Sequence, residues 1–439
     1  MLKTFIKAFK VEEIRTKIFY TFLMLIVIRF GSLLPIPGVN QDYVKMFFAQ
    51  SGDAFNFFNA FTGGSLEQMS IFALSISPYI TSSIIIQLLA IAIPKLEEMQ
   101  KDGETGRKKM NKITRYVTIV LALIQAVAMT VGFGNGQLLD EFNFVNVAVV
   151  VLTMTAGSAF LMWLGERITE KGIGNGISMI LLINILSRIP SDFMSLYDRF
   201  MKGKVWWKEV IAAAIILAII LFVVIFVLML QDGERKIAVQ YSQKVQGRKN
   251  VGGQSSHIPL KVNTAGVVPV IFASSLMQFP VIIATFFGKS DAKGIGGAIL
   301  KGLDSNNWCD PKNLQYSWGL IIYIILTIAF AYFYTSITFN PMEIGNNLKK
   351  NGGFVPGIRP GKPTVDYLTK ILKYIIFIGA VGLVIVQFIP FLFNGWLGAQ
   401  VSFGGTSLII IVGVVLETIQ QIESKMLVRN YKGFLNSGK

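Results

Sequence analysis

"SISPYITSSIIIQLL", residues 75–89, has the length and the isoleucines of a membrane-spanning helix, yet its polar content is wrong for a helix that faces lipid. Ser75, Ser77, Thr81, Ser82, Ser83 and Gln87 stand where acyl chains favour Leu or Val, and Pro78 removes a backbone donor. On a helix, Ile76, Ile80, Ser83 and Gln87 share one face, with Ser77 and Thr81 beside it. Two arrangements account for this pattern. A helix buried in a tight bundle uses Ser and Thr as glue between helices. A helix bordering an intermittently wet cavity would set polar groups beside Ile76 and Ile80, an apolar constriction that blocks ions by dewetting. The segment by itself leaves both open.

The surrounding chain is that of a membrane protein. Of its 439 residues 53% are hydrophobic and 15% charged, whereas soluble domains carry about a quarter charged residues. The one Cys, Cys309, excludes an internal disulfide, and the one His, His257, excludes a multi-histidine metal site. A net charge of +16 fits basic loops flanking membrane spans better than nucleic-acid binding. The first apolar run continues into "SLLPIPGV" (32–39) with no small-residue cleavage site, so it reads as a span and not a cleaved leader.

Apolar runs near 18–36, 71–93, 113–133, 145–165, 176–190, 209–231, 263–287, 317–339, 370–391 and 404–423 predict an all-α protein with ten spans. Five fall in an N-terminal half, 1–190, and five in a C-terminal half, 191–439. Lys and Arg crowd the segments before the first span, at 94–112, 231–262 and 340–370, and in the tail, which predicts both termini in the cytoplasm. The external segment holding Arg188, Arg199, Lys202, Lys204 and Lys208 runs against that bias. An odd number of spans per half makes the second half enter from the opposite side. The halves are therefore predicted to be inverted, with a pathway at their interface.

Upstream of the opening stretch lies "DAFNFFNAFTGGSLEQMS" (53–70). Phe55, Phe57, Phe58 and Phe61 fall in a run too short to span, and Gly63-Gly64 permits a hinge. This is either a Phe-rich external helix or a short re-entrant segment. Two cytoplasmic loops are long and basic. In "ERKIAVQYSQKVQGRKNVGGQSSHIPLKVN" (234–263), alternation around Ala238–Tyr241 predicts a short strand pair. In "NPMEIGNNLKKNGGFVPGIRPGKPTVDYL" (340–368), Pro and Gly force repeated turns around Arg359 and Lys362. Arg248 and Lys249 in the first loop, with Arg359 and Lys362 in the second, suit either anionic lipid or an acidic docking surface such as ribosomal RNA.

"GIRPGKPT" (357–364) fails as a phosphate-binding loop, because three residues separate its glycines where four are needed and Pro363 follows Lys362. Arg29 and Glu417 are the main ionisable residues in spans. Each is expected near a span end or reaching out to the interface. No carboxylate is evident near a midplane, which counts against an ion-coupled secondary transporter with inverted repeats, the second reading of this pattern. A third reading, a pore-free scaffold for ribosome docking, leaves the isoleucine positions without a purpose.

"LPIPGV" (34–39), "SIFALSISPYITSSIIIQLL" (70–89), "DGETGRKK" (102–109), "FLMWLGERITEKGIGNGIS" (160–178), "PLKVNTAGVVPVIFASSL" (259–276), "NNLKKNGGFVPGIRPGKPT" (346–364) and "FGGTSLII" (403–410) together resemble the SecY family of bacterial protein-translocation channels. The blocks run in order over nearly the whole chain. The resemblance implies a central pore with no catalytic residue and no cofactor. Its hydrophobic ring would be Ile76, Ile80, Leu181, Ile271 and Ile410, Leu181 standing where the family mostly carries Ile. Its plug would span about Ala54–Ser70, with Phe55, Phe57, Phe58, Phe61, Gly63 and Gly64. A lateral gate would run between Ser75–Leu89 and Asn263–Ser275, using Ser77, Thr81, Gln87, Asn263 and Ser274. Arg359 and Tyr431 would engage the motor ATPase SecA and the ribosome. The implied partners are the SecE and SecG subunits, SecA, the ribosome, signal peptides, nascent chains and anionic lipids. The implied location is the bacterial inner membrane.

Overall fold

The computed structural model describes residues 9–50, 61–134, 139, 141–201, 206–241, 244–246, 249–251, 255–286, 294–309, 311, 314–397 and 405–436. Its helices in the first part of the chain are α1 (Glu12–Leu33), α2 (Gln41–Gln50), α3 (Ser77–Ala92), α4 (Pro94–Lys101), α5 (Gly103–Gly134), α6 (Phe144–Lys171) and α7 (Gly176–Phe200). Then come α8 (Trp206–Asp232), four strands β1 (Glu234–Tyr241), β2 (Lys244–Gln246), β3 (Lys249–Val251) and β4 (Ser255–Lys261), and α9 (Val268–Phe286). The chain continues through α10 (Ile295–Leu303), α11 (Trp318–Thr338), α12 (Pro341–Lys350), β5 (Gly353–Phe354), α13 (Lys362–Leu397) and α14 (Gly405–Asn436).

A helix stands at each of the ten expected span positions. Among the described residues, eight are long and apolar enough to cross a membrane, and the bent pair α3–α4 makes a ninth. α9 is a shorter apolar helix. Two expected boundaries move for identifiable reasons. The second span begins at Ser77 and not at residue 71: Pro78 sits in the first turn, where a missing N–H costs nothing, and Ser75 is held at φ 50. The fifth does not stop at 190 but runs through Pro190 to Phe200. α3 and α4 meet at 109° because Ile93, preceding Pro94, is driven to an extended conformation.

The chain divides into two compact units, one of Met1–Leu196 with Ile282–Ala292 and Val414–Lys439, the other of Tyr197–Val281 with Lys293–Gly413. In the first unit the usual order of a soluble domain is reversed. Phe19, Phe22, Ile26 and Phe30 of α1 point outward, while Thr21, Gly31 and Ser32 are buried. Lipid solvates the apolar face as well as the protein interior does, so helix contacts rest on small and hydroxyl residues. Ser82 of α3 and Thr118 of α5 share a buried hydrogen bond of 2.6 Å, and the hydroxyl that accepts in it donates its own proton to a carbonyl of its helix, Pro78 for Ser82 or Thr114 for Thr118. A Cβ added to Gly157 of α6 would strike the Ile71 carbonyl oxygen, so only glycine permits that approach. Arg115 of α5 and Glu166 of α6 form an ion pair at 2.6 Å.

In the second unit α8 is apolar all round, with Ile211, Ile215, Leu217, Leu221, Phe222 and Ile225 exposed, as a lipid-facing helix requires. Trp308, 1% exposed, donates to the Gly302 carbonyl at 2.7 Å and packs its ring against Tyr323 and Phe391. Beside it, burial pushes the Cys309 thiol pKa up, which disfavours the thiolate.

The strand pair expected around Ala238–Tyr241 is β1 against β4, antiparallel, with Ile237 opposite Ile258 and Val239 opposite Ser256. β5, from the other long loop, pairs with the free edge of β1 through Gln240–Phe354 and Tyr241–Gly353, giving the order β4-β1-β5. Both loops therefore fold on one small core. Ile237, Val239 and Leu260 from the first loop pack with Leu348 of α12, Val355, and Leu368 and Ile375 of α13. Asn340 caps α12 by accepting from the amides of Met342 (3.1 Å) and Glu343 (3.4 Å), and Pro341 takes the first helical position.

Candidate functional site

The opening stretch divides its polar residues between the two arrangements open to it. Ser82 faces the bundle interior and is spent on Thr118. Ser77, Thr81, Ser83 and Gln87 are half-buried; Thr81 donates to the Ser77 carbonyl (3.0 Å), and the Gln87 amide to Ser83 (3.4 Å). A helix donor bonded within its own turn keeps its outward lone pairs available, so this face tolerates polar and apolar neighbours alike. Ile76 is buried with Phe72, Leu161, Leu164, Ile168 and Ile180, and half-buried Ile80 packs against the same cluster. Leu181 of α7 is 8% exposed.

Residues 63–76, which take in the end of the expected plug and lead into α3, form consecutive turns around a single bridge at Ser70 and are not helical. Non-helical backbone at membrane depth persists only where neighbours satisfy its polar groups. Here they do so. The Ile36 amide donates to the Met69 carbonyl at 3.0 Å, and the Ile71 amide to the Leu34 carbonyl at 2.9 Å. Arg29 Nη1 donates to the Gly63 carbonyl at 3.2 Å, and Arg188 pairs with Glu67 at 3.0 Å. Asn184 Nδ2 donates to both the Phe61 carbonyl and Ser75 Oγ, each at 3.0 Å, and Ser158 Oγ donates to the Ser75 carbonyl at 3.1 Å. Gly63 and Gly64 adopt φ 66 and 85; a Cβ on Gly63 would press on the Asn184 backbone.

Of the two expectations for Arg29, the first holds: it stands near the end of α1, which closes at Leu33, and it reaches inward to Gly63 and not out to the interface. Asn184 was missed altogether. Its signal was present, since it is the single polar residue in "MILLINIL" (179–186), and an unpartnered amide in a span is costly. Phe55, Phe57 and Phe58 lie outside the described residues.

In the second unit Ile271 on α9 is half-buried and Ile410 on α14 is 3% exposed. Asn263 lies on the turn before α9 and not on the helix, because the turn runs through Gly266 at φ 62; its Nδ2 is buried without a hydrogen bond among the described residues. Ser274, assigned to the gate, faces its own unit, 3.4 Å from the Tyr323 hydroxyl. Among the described residues no cluster of His, Cys, Asp and Glu could hold a metal.

Of the docking residues, Arg359 is exposed beyond β5 on a turn with Gly357 at φ 81 and Gly361 at φ 100, and Lys362, also exposed, opens α13. The Arg359 carbonyl accepts from Thr364 Oγ1 at 2.8 Å, and its guanidinium forms no ion pair among the described residues. Lys349 and Lys350 end α12 nearby in sequence, also exposed. Lys249 lies on β3 and Tyr431 on α14, and Arg248 falls outside the described residues.

Long apolar helices, hydroxyl-lined contacts and a satisfied irregular segment within the bundle define a multi-spanning α-helical protein of the membrane-channel class. The SecY family model matches residues 70–419. The chain belongs to the SecY family. It is 43% identical over 446 residues to the protein translocase subunit SecY of Bacillus subtilis, covering 100% of both chains. It is 41% identical over 452 residues to that of Mycobacterium tuberculosis, covering 99% of this chain and 100% of the relative. In fold it is similar to a solved protein conducting channel, with a TM-score of 0.63 at 16% identity over 94% of this chain and 93% of that one. It is likewise similar to Sec61 from a canine ribosome-channel complex, with a TM-score of 0.59 at 15% identity over 94% and 93%.

Proposed function

We propose that this chain forms the pore of a bacterial protein translocase, with no catalytic residue of its own. Unfolded polypeptide crosses through it, and apolar segments leave sideways into lipid. The observation that carries this reading is full-length similarity, above 40% identity, to proteins named as translocase subunits. The ring is assigned to Ile76, Ile80, Leu181, Ile271 and Ile410, branched side chains that close around a passing chain without binding it. The plug is assigned to about Ala54–Ser70. One solved neighbour is described as having a plug domain that stabilises the closed state and maintains a membrane seal, which supports that assignment.

The gate is assigned between Ser75–Leu89 and Asn263–Ser275. Its half-polar face supplies the selection. Apolar residues favour the membrane centre by about 0.3–0.6 kcal/mol each, whereas charged ones cost about 2.5–3.5 kcal/mol there. A seam that samples both phases sorts secreted chains from future spans on that difference. Exposed Arg359 and Lys362, with Arg248, Lys249 and Tyr431, are assigned to docking SecA and the ribosome. SecE and SecG complete the assembly, anionic lipids flank it, and both termini lie in the cytoplasm.

The test is reconstitution of the chain with SecE and SecG in proteoliposomes containing anionic lipid. Protease-protected accumulation of a signal-bearing precursor should require SecA and ATP. Accumulation equal to that of vesicles without the chain would overturn the reading.

A further inference from the structure

We propose that Asn184 is a positioning residue that holds residues 61–76 in the shut channel, so that its two amide protons set how firmly the resting pore excludes ions and signal-less chains. This rests on the pore reading above and adds to it a restraint supplied from α7. The internal bonds of the segment are local turn bonds, such as Ser70 N to the Ser65 carbonyl at 3.0 Å and Ser75 N to the Phe72 carbonyl at 2.8 Å, whereas its two ends converge on one side chain: the carbonyl of Phe61 and the hydroxyl of Ser75 both accept from Asn184 Nδ2 at 3.0 Å. Asn184 is 2% exposed and Ser75 also 2%, so neither end can trade its partner for water without opening the structure. Ser75 holds φ 50, a conformation that costs a non-glycine residue energy and persists only under outside restraint. That restraint is visible, since its Oγ takes Asn184 and its carbonyl takes Ser158.

Gly63 is gripped in the same way, by Arg29 Nη1 at 3.2 Å and by closeness to the Asn184 backbone. The α3 helix, which carries Ile80, begins two residues after Ser75. Freeing Ser75 therefore frees the entry to the helix on which the ring is assigned.

Three substitutions separate this role from simple packing. Asn184→Ala removes both bonds. Ser75→Gly removes one, and glycine accepts φ 50 without strain. Ser82→Ala, in the same bundle, breaks a hydroxyl pair that does not touch the segment. In the complex reconstituted in planar bilayers, one lost bond should raise resting ion conductance about threefold to tenfold. Asn184→Ala should give at least about tenfold. In cells both variants should export a reporter with a defective signal sequence while still exporting the intact one. Ser82→Ala should do neither. The double variant should leak no more than Asn184→Ala, because both substitutions break the same bond.

Ile80→Ser serves as the reference. If it leaks while Asn184→Ala and Ser75→Gly stay tight, the restraint is refuted and the pore reading stands. If Ile80→Ser is tight as well, the restraint is refuted and Ile80 leaves the ring, while the translocation assay above decides the pore reading. Should Asn184→Ala fail to assemble, Ser75→Gly decides alone, and an unchanged conductance refutes the proposal.

Discussion

Ile237→Ala tests whether the two basic loops act as one body. Ile237 is 4% exposed and packs with Leu348 and Leu368 across the sheet, in a cluster drawn from both loops. Removing its three outer carbons should destabilise this core by about 2–5 kcal/mol, with the upper end applying if the cavity cannot collapse. Each 1.4 kcal/mol is a tenfold change, so local opening should rise from about 30-fold to a few thousand-fold. The β1–β5 ladder has only two paired positions, too few to survive when β1 loosens. The 353–361 turn, which carries Arg359, should therefore lose order even though no residue in it has changed. Hydrogen exchange read by mass spectrometry, on the complex in nanodiscs, follows peptides covering 234–261 and 353–365. Both should exchange faster together, and SecA affinity should fall in parallel. Ile237→Val should show the same pattern at about 0.5–1.5 kcal/mol. Faster exchange confined to 234–261, with the Arg359 turn as protected as before, would refute the coupling.

Arg359→Glu should leave the melting temperature of the complex within about a degree, because the side chain is exposed and its backbone carbonyl supplies the contact to Thr364. SecA-driven translocation should nevertheless fall at least tenfold; a normal rate would remove Arg359 from the docking surface. Replacing Ile80 and Ile271 together with Ser should make the constriction wettable and raise ion leakage in planar bilayers, and unchanged conductance would exclude both from the ring. Gly157→Ala drives a Cβ into the Ile71 carbonyl oxygen and should cost about 1–3 kcal/mol, visible as a lowered melting temperature. A melting temperature equal to that of the parent would show that residues 71–76 can yield at that point.

The spanning helices were legible because each is written locally, as an apolar run, whereas the short polar helices α4 and α12 carry no such run. α8 could be placed from its composition alone. The start of α3 was also written in the sequence, in Ser77-Pro78, but the apolar residues before it masked the signal. The attachment of β5 to β1 could not be read, since it joins Gly353-Phe354 to Gln240-Tyr241 across more than a hundred residues with no periodicity to mark it. The same holds for Arg29 to Gly63, and for Asn184 to Phe61 and Ser75.

These misses share a cause. Periodicity reports which side chains avoid water, whereas an irregular segment within a membrane bundle is decided by which neighbours can satisfy its amides and carbonyls. That demand can be turned into a way of reading. A lone polar residue in an otherwise apolar span, such as Asn184 in "MILLINIL", implies a partner whose backbone is not helical. Gly63-Gly64 and Ser77-Pro78 bracket the one stretch beside the second span that meets this condition. Read as donor and acceptor, the isolated amide and the glycine-rich segment predict each other, although neither alone is informative.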